Sequence, residues 1–162
     1  MSYDKFVEIC SDDESTLHPD IMSFSSIISK YNNLVRESPK VDFIEERLSY
    51  VSSGMIMNAL DSLKIKNAYS NFIRKIKMHL YTDDKRVRFA IEDNGMGIAS
   101  VVQDQLFKER ISSQKHFLKI PLIGGEGIHM YQSKNKINAL NGDIGFLNLD
   151  EGVIFWYEVP LQ

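Results

Sequence analysis

The sequence predicts a two-layer α+β sandwich, a mostly antiparallel sheet covered by helices on one face. Two amphipathic helical patterns come before any strand. Four short alternating segments then fall into two adjacent hairpins. Two glycine-rich loops flank the long stretch between the hairpins.

The chain has 162 residues, 43% of them hydrophobic, which suits one domain with a real core. Residues 1–19 are polar and acidic, with Asp12, Asp13 and Glu14 in a row. They read as a tail or leading segment before a domain at 20–162. From Ile21 to about Arg36, Ile21, Phe24, Ile27, Ile28, Tyr31 and Leu34 recur every three or four residues, a helical stripe. That stripe either packs on its own sheet or buries against a second copy or a partner. Pro39 interrupts, and a second helix begins near Asp42. It runs through Phe43, Ile44, Leu48, Val51, Met55 and Ile56 to Leu60 and Leu63.

Ile76, Met78 and Leu80 alternate with polar residues, as do Val87, Phe89 and Ile91. Thr82–Lys85 between them reads as a hairpin turn. Glu92-Asp93-Asn94-Gly95-Met96-Gly97 ends the second strand. Residues 99–123 combine a short helical pattern with loop. Gly124-Gly125-Glu126-Gly127 opens a helix that Asn141-Gly142 stops. A closing hairpin turns at Asp150-Glu151-Gly152. Ile144 and Phe146 point to one face, and Leu147 and Leu149 to the other.

Charge and cysteine exclude several classes. Nineteen Lys and Arg against 22 Asp and Glu leave a net charge of −3, a poor basis for a nucleic-acid surface. No apolar run is long enough for a membrane span, and the first twenty residues lack the pattern of a secretory signal. Cys10 is the only cysteine, so no internal disulfide or cysteine-cluster zinc site forms, and a cytoplasmic setting fits.

Glycine loops let a backbone approach a ligand, and the second loop precedes a helix, whose N-terminus suits a phosphate. Asp93 is either an acceptor for an exocyclic amine such as that of adenine or a turn residue. Asn58 is either a buried amide satisfied by backbone or an oxygen ligand for Mg²⁺. Asp61 shares its helical face.

Together these segments resemble the histidine-kinase-like ATPase superfamily, closest to sensor histidine kinase catalytic domains. The resemblance covers about residues 42–161. NALD (Asn58–Asp61) looks like the family's N box and DNGMGI (Asp93–Ile98) like its first glycine box. LFKERISSQK (Leu106–Lys115) is similar to the phenylalanine box and the segment after it. GGEGIHMYQSK (Gly124–Lys134) looks like the second glycine box, and Asn141–Leu161 like the closing hairpin. The resemblance implies a Bergerat-type fold with a mixed, mostly antiparallel sheet, binding ATP and Mg²⁺. It implies that Asn58 holds the metal, with Asp61 beside it, and that Asp93 takes the adenine amine. Gly95 and Gly97 pass the base, Gly125 and Gly127 cradle the phosphates, and residues 99–123 form a lid. Lys115 either reaches the terminal phosphate or is a solvated loop lysine.

Three positions depart from the family pattern. Gly54 stands where, in the family, a glutamate four residues before the N-box asparagine acts as general base or positions the reactive group. His129 replaces the third glycine of the second box, and Val153 replaces the threonine of the final hairpin. Glu45 and Glu46 are too far along the helix to substitute, roughly 12–14 Å away at 1.5 Å per residue. His18 lacks the pattern of a phosphoacceptor. The expectation is therefore a Mg²⁺-dependent ATP-binding domain. It either transfers phosphoryl groups to a partner protein or works as an inactive nucleotide-sensing or docking module.

Overall fold

The computed structural model describes residues 16–17, 24–98 and 128–161. Its elements are β1 (Thr16–Leu17), α1 (Phe24–Arg36), α2 (Val41–Phe43), a π turn (Ile44–Leu48), α3 (Ser49–Tyr69), β2 (Ile76–Thr82), β3 (Arg86–Asp93), α4 (Ile128–Ala139), β4 (Asp143–Asn148) and β5 (Val153–Pro160). The four long strands form an antiparallel sheet in the order β2-β3-β5-β4. β1 adds two residues at the β2 edge, so part of the expected leading segment is a strand. Every pairing among the described residues is antiparallel.

The two hairpins close as their sequences dictate. At the first, the Asp83 carboxylate accepts the Lys85 and Arg86 N–H groups at 2.8 and 2.9 Å. These bonds outweigh the little desolvation there and hold Asp83 below the usual carboxylate range. The hairpins then meet along β3 and β5, from Arg86 opposite Pro160 to Asp93 opposite Val153.

Alternation puts Ile76, Met78, Val87, Phe89, Ile91, Phe155, Tyr157 and Val159 on one face, all essentially inaccessible to water. Helices α1, α3 and α4 cover that face. In α1 the expected stripe holds, with Ile27, Tyr31 and Val35 buried. The Tyr31 ring stands edge-on to Phe89 at 5.4 Å. The stripe is used within the chain, the first of the two alternatives that the sequence left open; Ser25, Ser29, Asn32 and Arg36 face outward.

α3 lies between the sheet, α1 and α4 and is buried on most sides. A helix so placed needs more than one apolar stripe. Three small polar residues, Ser52, Asn58 and Ser62, are buried along it. Ser52 hydrogen-bonds the Tyr157 hydroxyl at 2.8 Å. The one irregularity is the π turn before it, where the Ser49 hydroxyl donates to the Ile44 carbonyl five residues back, at 3.3 Å.

On the opposite sheet face, Ala90 and Ile154 pack with Leu149 and Trp156. Arg88, also buried there, pairs with Glu158 directly across the β3–β5 ladder. Among the described residues no helix is long and apolar enough to cross a membrane.

Of the glycines among the described residues, Gly152 leaves the least room for a side chain. Its φ is +90°, and a Cβ there would lie 1.8 Å from the Asp93 carbonyl oxygen. Gly152→Ala combines a left-handed conformation with a backbone collision. It is expected to destabilise the protein by at least about 2 kcal/mol in urea unfolding. An unchanged midpoint would show that the β4–β5 turn is not held against β3.

Candidate functional site

The site is built where β3 ends. Asp93 is the last residue of the strand and sits on its core-facing side, 1% exposed. Its Oδ1 accepts the Gly95 N–H at 2.8 Å, the turn geometry that the sequence allows for such a residue. Its Oδ2 is buried with no hydrogen-bond partner. Burial pushes the Asp93 carboxyl up to about 7, against the Gly95 N–H, the Ser62 hydroxyl and the Lys66 charge, which favour ionisation; the neighbouring Glu92 adds to the rise. A buried acceptor without a donor costs about 1–3 kcal/mol, which a ligand N–H placed there would recover.

The turn after Asp93 is folded by side chains from three sides. Asn94 carries the β2–β3 ladder one step further, its Oδ1 accepting the Lys75 N–H and its Nδ2 donating to the Ile73 carbonyl, both at 2.7 Å. The Lys66 ammonium donates to the Asn94 carbonyl at 2.8 Å and lies 4.5 Å from the centre of the Phe72 ring. The Met96 N–H donates to the Ser62 hydroxyl at 2.8 Å. Asn148, at the end of β4, accepts the Ile98 N–H and donates to the Ile98 carbonyl, both at 2.9 Å.

Gly95 and Gly97 are needed for this packing. A Cβ on Gly95 would stand 2.2 Å from the Ser62 hydroxyl oxygen and 2.8 Å from the Ser62 carbonyl carbon, so the turn lies flush against α3. Gly97 has φ +72° and faces Asn148 and the Gly152 carbonyl. An open cavity of about 330 Å³ lies outside the turn, lined by Lys66, Gly97, Asn148 and the Asp150–Gly152 turn among others.

α3 supplies the other wall. Gly54, Asn58, Ser62 and Lys66 are spaced by four residues, so they share one face in successive turns. Two of the four, Ser62 and Lys66, hold the turn. Asn58, one turn above Ser62, is 2% exposed, and its amide donates to the Met130 sulfur of α4 at 3.0 Å. That contact uses the amide nitrogen and not the carbonyl oxygen. Asp61 is half-buried on the same helix, its carboxyl raised by burial and lowered in part by Lys64. Gly54 is buried. Val153, at the threonine position, is buried and directly opposite Asp93.

Among the described residues no group of three or more His, Cys, Asp or Glu side chains is gathered to hold a metal. A Mg²⁺ bound through one protein oxygen and several phosphate oxygens is compatible with that donor set. Lys115, Gly125, Gly127 and the expected lid at 99–123 lie outside the described residues. Sequence reasoning missed Ser62, Lys66 and Asn148. The four-residue spacing from Asn58 was a signal for the first two; nothing local marked Asn148.

Residues 44–162 match the family model described as "Histidine kinase-, DNA gyrase B-, and HSP90-like ATPase". The sensor histidine kinase GlnK of Bacillus subtilis is 27% identical over 112 residues, 69% of this chain and 25% of that protein. The sensor protein LytS of Streptococcus mutans is 32% identical over 78 residues, 46% of this chain and 12% of that protein. The chain thus spans a quarter or less of these relatives' length. Among solved structures, the catalytic domain of the histidine kinase ThkA aligns over 80% of this chain and 93% of its own, at 19% identity and a TM-score of 0.48.

Because Asp93 is raised from 3.8 to about 7 on folding, the folded protein holds a proton there that the unfolded chain has released. Its contribution to stability is therefore fullest below about pH 4 and is lost as pH rises toward 7. Asp93→Asn removes this titration. Relative to wild type, the variant is expected to gain a few kcal/mol between pH 4.5 and 7.5, since each pH unit over which only the folded chain keeps the proton is worth about 1.4 kcal/mol. Urea unfolding at the two pH values measures it, and parallel curves for the two proteins would contradict a buried, proton-holding Asp93.

Proposed function

The chain belongs to the histidine kinase-, DNA gyrase B- and HSP90-like ATPase family, and we propose that it binds ATP with Mg²⁺ at the junction of β3 and α3. The observation that carries this reading is the Asp93 carboxyl, buried with one oxygen satisfied by Gly95 and the other without a donor. An adenine amino group supplies the missing N–H. Asn58, with its nitrogen engaged by Met130, offers a carbonyl oxygen to the cation. Bound Mg²⁺ would neutralise phosphate charge and orient the terminal phosphate. Asp61 lines the same helix, and Gly125, Gly127 and Lys115 complete the phosphate side in this reading.

The activity proposed is transfer of the terminal phosphoryl group to a side chain of a partner protein, as part of a two-component signalling system. In such a reaction the attacking group comes from the partner, so catalysis rests on positioning and charge. A cytoplasmic location, where ATP is available, belongs to the same proposal. One observation favours a second reading. Gly54 occupies the face of α3 shared with Asn58 and brings no carboxylate to it. A domain without that base is suited to nucleotide sensing or protein docking rather than to activating water.

Calorimetric titration with ATP and Mg²⁺ tests the binding step. A dissociation constant between about 1 µM and 1 mM is expected, weakened by about tenfold or more in Asp93→Ala through loss of the hydrogen bond that the carboxyl accepts. Absence of heat at millimolar ATP would overturn nucleotide binding. Transfer from γ-labelled ATP to a co-expressed response partner separates the two activities.

A further inference from the structure

We propose that Asn148 is a positioning residue for recognition of the adenine base, acting through the turn that orients Asp93. The inference rests on the reading that Asp93 receives an exocyclic amine.

The geometry runs through one rung of the sheet. Asp93 on β3 is opposite Val153 on β5, and Val153 is in turn opposite Asn148 on β4. Asp93 and Asn148 are therefore two strands apart on the same rung, about 10 Å at the usual strand spacing. The turn that leaves Asp93 crosses back to this rung. Gly97, at φ +72°, reverses the chain, and Asn148 clips both backbone groups of the next residue, Ile98.

Ile98 is 5% exposed, so its N–H and carbonyl need protein partners of opposite kind. A primary amide supplies an acceptor and a donor from two separate atoms of one side chain; a carboxylate or a methyl group does not supply both, and a hydroxyl offers them from a single atom. The other end of the turn is fixed by Lys66 and Ser62 on α3. Gly95 lies between these anchors, and its N–H sets which Asp93 oxygen is engaged and which is left for a ligand. Without the Asn148 clip, this end of the turn loses two bonds, and Gly95 is positioned from the α3 side alone, which loosens its hold on the carboxylate.

A purely structural role would weaken all nucleotides alike. A positioning role weakens those that use Asp93. The probes are ADP, which carries an exocyclic amine, and inosine diphosphate, which has a carbonyl in its place, each titrated with Mg²⁺ into the whole 162-residue chain. The wild type is expected to prefer ADP by about tenfold or more, as a site built around one hydrogen bond does. In Asn148→Ala the preference should fall to within about threefold, through weaker ADP binding, with inosine diphosphate changed by less than about twofold. Asn148→Ser, which retains one hydroxyl, should fall between the two, and it decides the matter if the alanine variant does not fold. A wild-type preference that persists in the variants, or an equal loss for both nucleotides, overturns the role of Asn148 alone. A wild type that binds neither, or does not discriminate, overturns the adenine reading and this proposal with it.

Discussion

Asp93 is a carboxyl group taken almost wholly out of water at the end of a central strand, and much of the described structure is arranged around that burial. The strand that carries it is flanked on both sides by paired neighbours, β2 and β5. The turn beyond it folds back against α3 so closely that Gly95 has no room for a side chain. The same packing that expels water also removes the carboxyl's natural partners, and only one of its two oxygens is compensated. The carboxyl is raised because the protein supplies too few donors for its charge, and a ligand able to donate one N–H has an environment already shaped for it.

The turn from Asn94 to Ile98 shows how a non-repetitive segment is held rigid. It has no ladder beyond one long bond from the Asn94 N–H to the Lys75 carbonyl. The Asn94 side chain bonds backbone groups of the β2 approach, and side chains of α3 and of the end of β4 bond the backbone of the turn. The anchors come from more than one element, so no single element sets the shape of the turn. Asn58, Ser62 and Lys66 give α3 a polar edge along a helix otherwise buried in largely apolar surroundings. A helix buried on most sides tolerates polar atoms only where they have work to do, and here two of the three hold the turn.

Most of the architecture was legible in the sequence. The strands alternate cleanly because one face meets helices, and the helices show the 3.6-residue stripe for the same reason. Where the reading fell short, the cause was physical. The π turn at Ile44–Leu48 is accompanied by a serine hydroxyl reaching back five residues, which periodicity does not register. The α1 stripe was compatible with an internal or an external partner, and only packing against Phe89 decided between them. Asp93 and Asn58 stood out because their neighbours are apolar. Asn148 did not, because its importance comes from a residue fifty positions away. Long-range complementarity of that kind has no local signature.

The sheet order has a kinetic side. β3 and β5 are neighbours at its centre, yet about sixty residues of chain separate Asp93 from the Val153 that faces it. Helix α3 and the β2–β3 hairpin can form from contacts near in sequence. The β3–β5 seam must wait for loop closure over that distance, and pairings of this kind slow folding. Val153, Gly152 and Asn148 arrive with the second hairpin. Until it docks, the edge of β3 that faces β5 is open. The burial that gives the site its character is therefore acquired late, in the step that also closes the exposed edge of β3 against association with other chains.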